Sequence, residues 1–207
     1  DAHASETGTD VPVSAPVLPA LIAATRAYHA QAMGDVAGTV THGGRALDLV
    51  PEDDVARRGS IAALLSMAYV ETGELARAEA VLSQGMADLR SAGQILAALR
   101  GTYILADIAL VQGRLRDAIG VYERALSLAE AHGPAVLRGT PDLHLRLSEL
   151  YHEQHSLDAA VAYEQKAAAL GEDDASPHWR YRLHLAQARL ELARGEFDEA
   201  LVLLDDA

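Results

Sequence analysis

The stretch Ser66-Met67-Ala68-Tyr69-Val70-Glu71-Thr72-Gly73-Glu74-Leu75-Ala76-Arg77-Ala78 decides the fold. Apolar residues recur at helical spacing on both sides of Gly73-Glu74-Leu75, so the chain reads as helix, tight turn, helix. The same turn stands at Gly34-Asp35-Val36, Gly113-Arg114-Leu115, His155-Ser156-Leu157 and Gly195-Glu196-Phe197, in steps of 39, 40, 42 and 40 residues. A fixed period of about 40 predicts a stack of repeats.

Three columns counted from the first residue of each turn test this reading. Seven residues before it stand Ala27, Ser66, Ala106, Ser148 and Ala188; five after it Thr39, Ala78, Ala118, Ala160 and Ala200; twelve after it Ala46, Gly85, Ala125, Ala167 and Ala207. All fifteen are Ala, Gly, Ser or Thr, types that fill 75 of the 207 positions, so an arbitrary choice gives about five. Small side chains in register let two helix backbones approach within about 8–10 Å. Each unit is therefore a hairpin of helix A before the turn and helix B after it. One hairpin cannot bury both its apolar faces, so neighbours must stack.

Boundary signals agree with this phasing. Thr140-Pro141 and Ser176-Pro177 place a hydroxyl before a proline suited to a first helical turn. Pro51 and Gly133-Pro134 fall where helix B should end. Residues 1–15 are polar, small and without periodicity, and read as a linker or loose terminus ahead of a repeat domain over 16–207. Five hairpins fit. The start at Asp1 with no signal-peptide pattern, and a fifth helix B that stops at Ala207 without a polar capping face, predict a piece of a longer protein.

Composition narrows the function. Half the residues are hydrophobic but only 4% are aromatic, so the core must be built from Ala, Leu and Val, which favours helix. Thirty acidic against seventeen basic residues give a formal charge of −13. Such a surface repels nucleic acid and anionic membranes, and no apolar run reaches the roughly 18 residues of a membrane span. The chain has no cysteine, which removes thiol catalysis, disulfides and thiolate zinc sites and permits a reducing, cytoplasmic setting.

The small columns, the turn glycine and Leu65, Leu105 and Leu147 ahead of the first column resemble the tetratricopeptide (TPR) pattern. More specifically, Leu18 to Ala207 resembles the central helical-repeat region of the large ATP-dependent, MalT-like LuxR-family transcription regulators. The residues that carry this are Arg26-Ala27, Gly34-Asp35, Arg45-Ala46-Leu47-Asp48-Leu49 with Pro51, Arg58-Gly59, and Met67-Ala68-Tyr69. Arg138-Gly139-Thr140, Asp142-Leu143-His144, Ser148-Glu149-Leu150-Tyr151 with Glu153, and Tyr181-Arg182 complete the set. The resemblance implies an all-α, right-handed superhelical solenoid of about five TPR-like hairpins. It also implies flanking ATPase and helix-turn-helix modules, and a non-catalytic sensor or scaffold that binds a small-molecule inducer or a regulatory protein or peptide. The alternative is a general TPR-type scaffold gripping a peptide in its concave groove. His155 departs from the pattern at the fourth turn, as do Arg26 and Gln187 at the core leucine.

No chemistry-bearing constellation competes with this reading. There is no phosphate-binding G-x-x-x-x-G-K-[ST], and the only lysine is Lys166, on a B helix and read as solvated, so no ATPase and no cofactor are expected in this segment. His144, His152 and His155 are read in one helix, with Glu149 and Glu153 near them, but a metal needs ligands from a second element, so no metal is expected. The acidic runs Glu52-Asp53-Asp54 and Glu172-Asp173-Asp174 fall between units and suit helix N-termini, and Asp205-Asp206 reads as solvated.

In TPR-like hairpins the A helices line the concave face. Counting positions 2, 5, 9 and 12 of helix A places Tyr28, Gln31, Met67, Arg100, Tyr103, Asp107, Asp142, Leu145, Glu149, His152, Arg182 and Arg189 there. Tyr, Arg and carboxylates in that groove suit a polar ligand or a peptide.

Overall fold

The computed structural model describes residues 17–171 and 177–206, and among these every regular element is a helix. The helices, in order, are α1 (Val17–Ala32), α2 (Val36–Leu49), α3 (Val55–Glu71), α4 (Leu75–Ser91), α5 (Ile95–Val111), α6 (Leu115–Ala131), α7 (Pro134–Leu137), α8 (Pro141–Glu153), α9 (Leu157–Leu170), α10 (Pro177–Arg194) and α11 (Phe197–Asp205). Apart from the one-turn α7 they follow the expected alternation of A and B helices, and α1 with α2, α5 with α6, α8 with α9 and α10 with α11 pack as A–B pairs. The expectations for residues 1–15, for the acidic run 172–174, and for Ser176 and Ala207 lie outside the described residues.

One backbone motif makes all five A–B turns. In each, the residue after the turn position donates its N–H five residues back: Asp35 to Ala30, Glu74 to Tyr69, Arg114 to Ala109, Ser156 to Tyr151 and Glu196 to Glu191, at 2.8–2.9 Å. The turn residue itself donates three residues back, as Gly73 does to Val70. This pair of bonds is the Schellman ending, and it requires a left-handed residue between the helices. Gly34, Gly73, Gly113 and Gly195 supply it with φ of 71° to 87°, and His155 adopts the same conformation at φ 59°. The three histidines therefore do not share a helix: α8 stops at Glu153 and His155 forms the turn.

Fourteen of the fifteen small residues are buried, and the fifteenth is Ala207. The spacing thus identifies the faces on which the helices meet.

The chain divides into two compact units, residues 1–81 and 82–207. In the first, α1 pairs with α2, and both pack on α3. The core is alanine-rich, with Ile61, Leu64, Leu65 and Tyr69 among its larger members. A Cβ on Gly43 would stand 2.8 Å from the Leu65 side chain, so α2 reaches α3 only because that position is bare. Arg58 donates to the Leu47 and Val50 carbonyls at 3.1 and 3.2 Å, satisfying the C-terminal end of α2 ahead of Pro51. Asp35 and Asp54 cap α2 and α3 by accepting from the Gly38 and Arg57 N–H groups, the role expected of the first acidic run.

In the second unit α5 pairs with α6, α8 with α9 and α10 with α11. The main core gathers Leu99, Ile119, Tyr122, Leu126, Leu143 and Leu147, and Val136 and Leu137 of α7 pack against it. Gly133 is left-handed, but Pro134 has no N–H to complete a Schellman pair, so a separate helical turn follows. That turn accounts for the longest repeat step, 42 residues. Thr140 precedes α8 as expected, yet its hydroxyl donates back to Leu137 at 2.6 Å instead of capping the helix.

Candidate functional site

In the first unit, Tyr28 and Gln31 lie on α1 and Met67 on α3. Tyr28 and Met67 are 47% and 44% exposed. The Gln31 side-chain amide donates to Glu71 at 3.4 Å, bridging two A helices, while its Oε1 is buried and unpartnered among the described residues. Arg26, the departure at the first core-leucine position, is exposed and borders a groove of about 360 Å³ with Leu18, Ile22, His42 and Arg45.

The second unit brings more of the expected residues together. Asp142 of α8 and Arg182 of α10 form an ion pair across 40 residues of sequence. The second guanidinium nitrogen of Arg182, Nη2, is buried and has no partner among the described residues. Tyr103 of α5 is half-buried within the field of this pair. Burial first, and then the Asp142 charge, pushes its hydroxyl up to about 12, against the pull of Arg182 and Arg146. Tyr103 meets the buried Tyr122 edge-on, with ring centroids 5.9 Å apart. Burial likewise raises the Tyr122 hydroxyl, with Arg146 opposing and Asp107, Tyr103 and Glu149 adding to the rise. Three A helices, α5, α8 and α10, with Tyr122 of the B helix α6, therefore bring two phenols, two guanidinium groups and carboxylates into one electrostatically coupled cluster.

Arg146 belongs to this cluster and Leu145 does not. Arg146 donates to Glu149 at 2.9 Å, and Glu149 holds the guanidinium charged against the burial that disfavours it. Leu145 is fully buried in a smaller core with Ala167, Trp179 and Ala186. A helical stripe through Asp142 continues to 146 and 149, so counting to position 5 chose the neighbour that faces inward. Asp107 is exposed and reaches the cluster through its charge. Arg100 and Arg189 are exposed, His152 is half-buried, and none of the three is joined to the cluster by a hydrogen bond.

His144 lies apart from this face. It is 4% exposed, its Nδ1 has no partner among the described residues, and burial, with the Lys166 charge adding, lowers its pKa to about 4. Its ring lies 6.0 Å from Tyr163, which stacks on Tyr151 at 5.4 Å and carries Lys166 over its ring at 5.2 Å. Tyr151 donates to Glu123 at 2.6 Å, and that bond, with burial and the Glu123 charge, raises its hydroxyl to about 12. Among the described residues no three His, Asp or Glu side chains converge as metal ligands, and no helix is long and apolar enough to cross a membrane.

The backbone path is that of known repeat proteins. The apo form of RapI superposes with a TM-score of 0.77 at 12% identity, covering 91% of this chain and 52% of RapI. The Rap conjugation gene regulator of the plasmid pLS20, solved with the Phr* peptide, gives 0.64 at 15% identity over 97% of this chain and 57% of its own. A Podosopora anserina putative kinesin light chain with nearly identical TPR-like repeats gives 0.67 at 18% identity over 90% and 93%. The chain thus spans only about half the length of the two Rap proteins. At these identities the likeness shows the fold alone. No curated protein matches the sequence. The family model of the MalT-like TPR region matches residues 20–207, so the chain belongs to the family of MalT-like TPR regions.

Proposed function

We propose that this chain is the non-catalytic sensor region of a LuxR/MalT-type transcription regulator, and that it receives a regulatory peptide, protein or small inducer on the A-helix face of α5, α8 and α10. The observation that carries this is the half-used Arg182: one nitrogen is held by Asp142 and the other, Nη2, is buried without a partner beside Tyr103. An unpaired guanidinium N–H is costly, and a ligand acceptor recovers that cost. Asp142, Glu149 and Asp107 offer acceptors for ligand donors, which a peptide backbone or a polyhydroxylated small molecule both contain. The Rap regulator's complex with the Phr* peptide supports a peptide as occupant. The segment uses no cofactor, contacts neither nucleic acid nor membrane, and works in the cytoplasm between ATPase and helix-turn-helix modules. A ligand that prefers one arrangement of the repeats biases the whole regulator.

The test is a thermal-shift screen of peptides, sugars and nucleotides, since a ligand that binds the native state alone raises the midpoint. Tyr103→Phe, Asp142→Asn and Arg182→Gln should each shrink the shift produced by a hit. Unchanged shifts in all three variants exclude this face. Coding sequence on either side separates the regulator from a general TPR scaffold: a P-loop upstream and a helix-turn-helix downstream belong to the first, and their absence leaves the second.

A further inference from the structure

A second concave feature lies away from the Tyr103–Arg182 cluster. Within the second unit, residues of α4, α5 and α6 line a half-open cavity of about 90 Å³ whose apolar wall includes Leu99, Leu105, Val121 and Leu128. Thr102 also lines it; this residue is 1% exposed and its hydroxyl has no partner among the described residues. Two further lining residues, Arg90 and Arg124, are exposed to solvent, and neither has an ion-pair partner among the described residues. The site is thus an apolar socket with two unengaged positive charges on its border and an unsatisfied hydroxyl in its wall.

We propose that this cavity binds a small aliphatic monocarboxylate, its hydrocarbon body in the socket and its carboxylate on Arg90 and Arg124. Size sets the body: at roughly 15 Å³ of such space per water-sized group, the cavity holds about six of them. That is a chain of about six to eight carbons. Each methylene taken from water contributes about a fourfold gain in affinity. Charge sets the head. The chain as a whole carries −13 and repels anions at long range, but salt screens that field beyond about 8–10 Å, whereas the two guanidinium groups act at contact. An aliphatic alcohol fits the socket equally well and gains nothing from the arginines, which is what makes the proposal specific.

Calorimetric titration of the chain with octanoate, octanol and butyrate tests it. Octanoate should bind saturably at one site, with butyrate and octanol each at least tenfold weaker. Arg90→Gln/Arg124→Gln, at exposed positions, should leave the thermal midpoint of the free protein in place and weaken octanoate by tenfold or more while leaving octanol unchanged. Val121→Phe, which fills the socket, should abolish both. Absence of saturable octanoate binding overturns the proposal. So does octanol binding as tightly as octanoate, or octanoate binding that persists in the double arginine variant.

Discussion

The Gln187 side-chain amide donates to the Glu164 carboxylate at 2.6 Å, joining α10 to α9 at a point where Glu164 is 8% exposed. Gln187 occupies the repeat position held elsewhere by Leu65, Leu105 and Leu147, and Glu164 that held by Leu82 and Tyr122. Two apolar positions in contact have thus been exchanged together for a polar pair. Removing one partner leaves the other buried and unpaired, so Gln187→Leu should cost about 1–3 kcal/mol in urea unfolding. Glu164→Leu/Gln187→Leu restores the apolar contact of the other repeats and should return to wild-type stability or above. Simple additivity of the two single changes would show that the pair is not a unit.

His155 is the one described residue other than glycine with a left-handed backbone, and it sits in a turn that glycine builds at the other four A–B junctions and again at Gly93. A side chain there crowds its own carbonyl, a strain of about 1–2 kcal/mol, part of which glycine's greater freedom in the unfolded chain offsets. His155→Gly should therefore raise stability by about 0.5–1 kcal/mol. His155 is exposed, so little packing is lost. The mirror change, Gly113→His, should lower stability by a similar amount. A destabilised His155→Gly would mean that the imidazole has a role the turn geometry does not reveal.

These two positions also show what the sequence could and could not disclose. The turns and the fourteen buried small residues were legible because each is dictated locally, by a left-handed backbone or by close helix contact, and recurs at a fixed interval. The place of Arg146 was not, because α8 begins after the extra turn α7 and its outward stripe runs 142, 146, 149, whereas position counting selected Leu145. Gln187 looked like a weak repeat because its compensation, Glu164, lies on another helix and in another column. Pairings across repeats leave no periodic trace in a single chain.

Gly171 ends α9 directly against Trp179 of α10. A Cβ at this position would fall 2.3–2.6 Å from three atoms of the indole ring, and the ring is 4% exposed. Gly171→Ala must displace the only tryptophan, at a cost of about 1–3 kcal/mol. The displaced ring should meet water, so its fluorescence should move to longer wavelength together with the loss in urea midpoint. Unchanged emission and midpoint would show that α9 and α10 separate freely at this junction.

His144 makes stability depend on pH in a direction opposite to that of a histidine held by a carboxylate. Its folded pKa of about 4 lies below the ordinary 6.5 because burial, and then Lys166, disfavours the charged ring. Above pH 6.5 the imidazole is neutral in both states and its contribution is intact. As pH falls from 6.5 towards 4 the unfolded chain takes up a proton that the folded chain refuses, so stability declines, and below 4 both states are protonated. The full loss is on the order of 3 kcal/mol. His144→Leu keeps the volume, removes the unpaired Nδ1 and should flatten the profile across that window relative to the parent chain. Urea midpoints at pH 7.5, 6, 5 and 4 measure it, and parallel profiles for parent and variant would place the acid sensitivity in other groups.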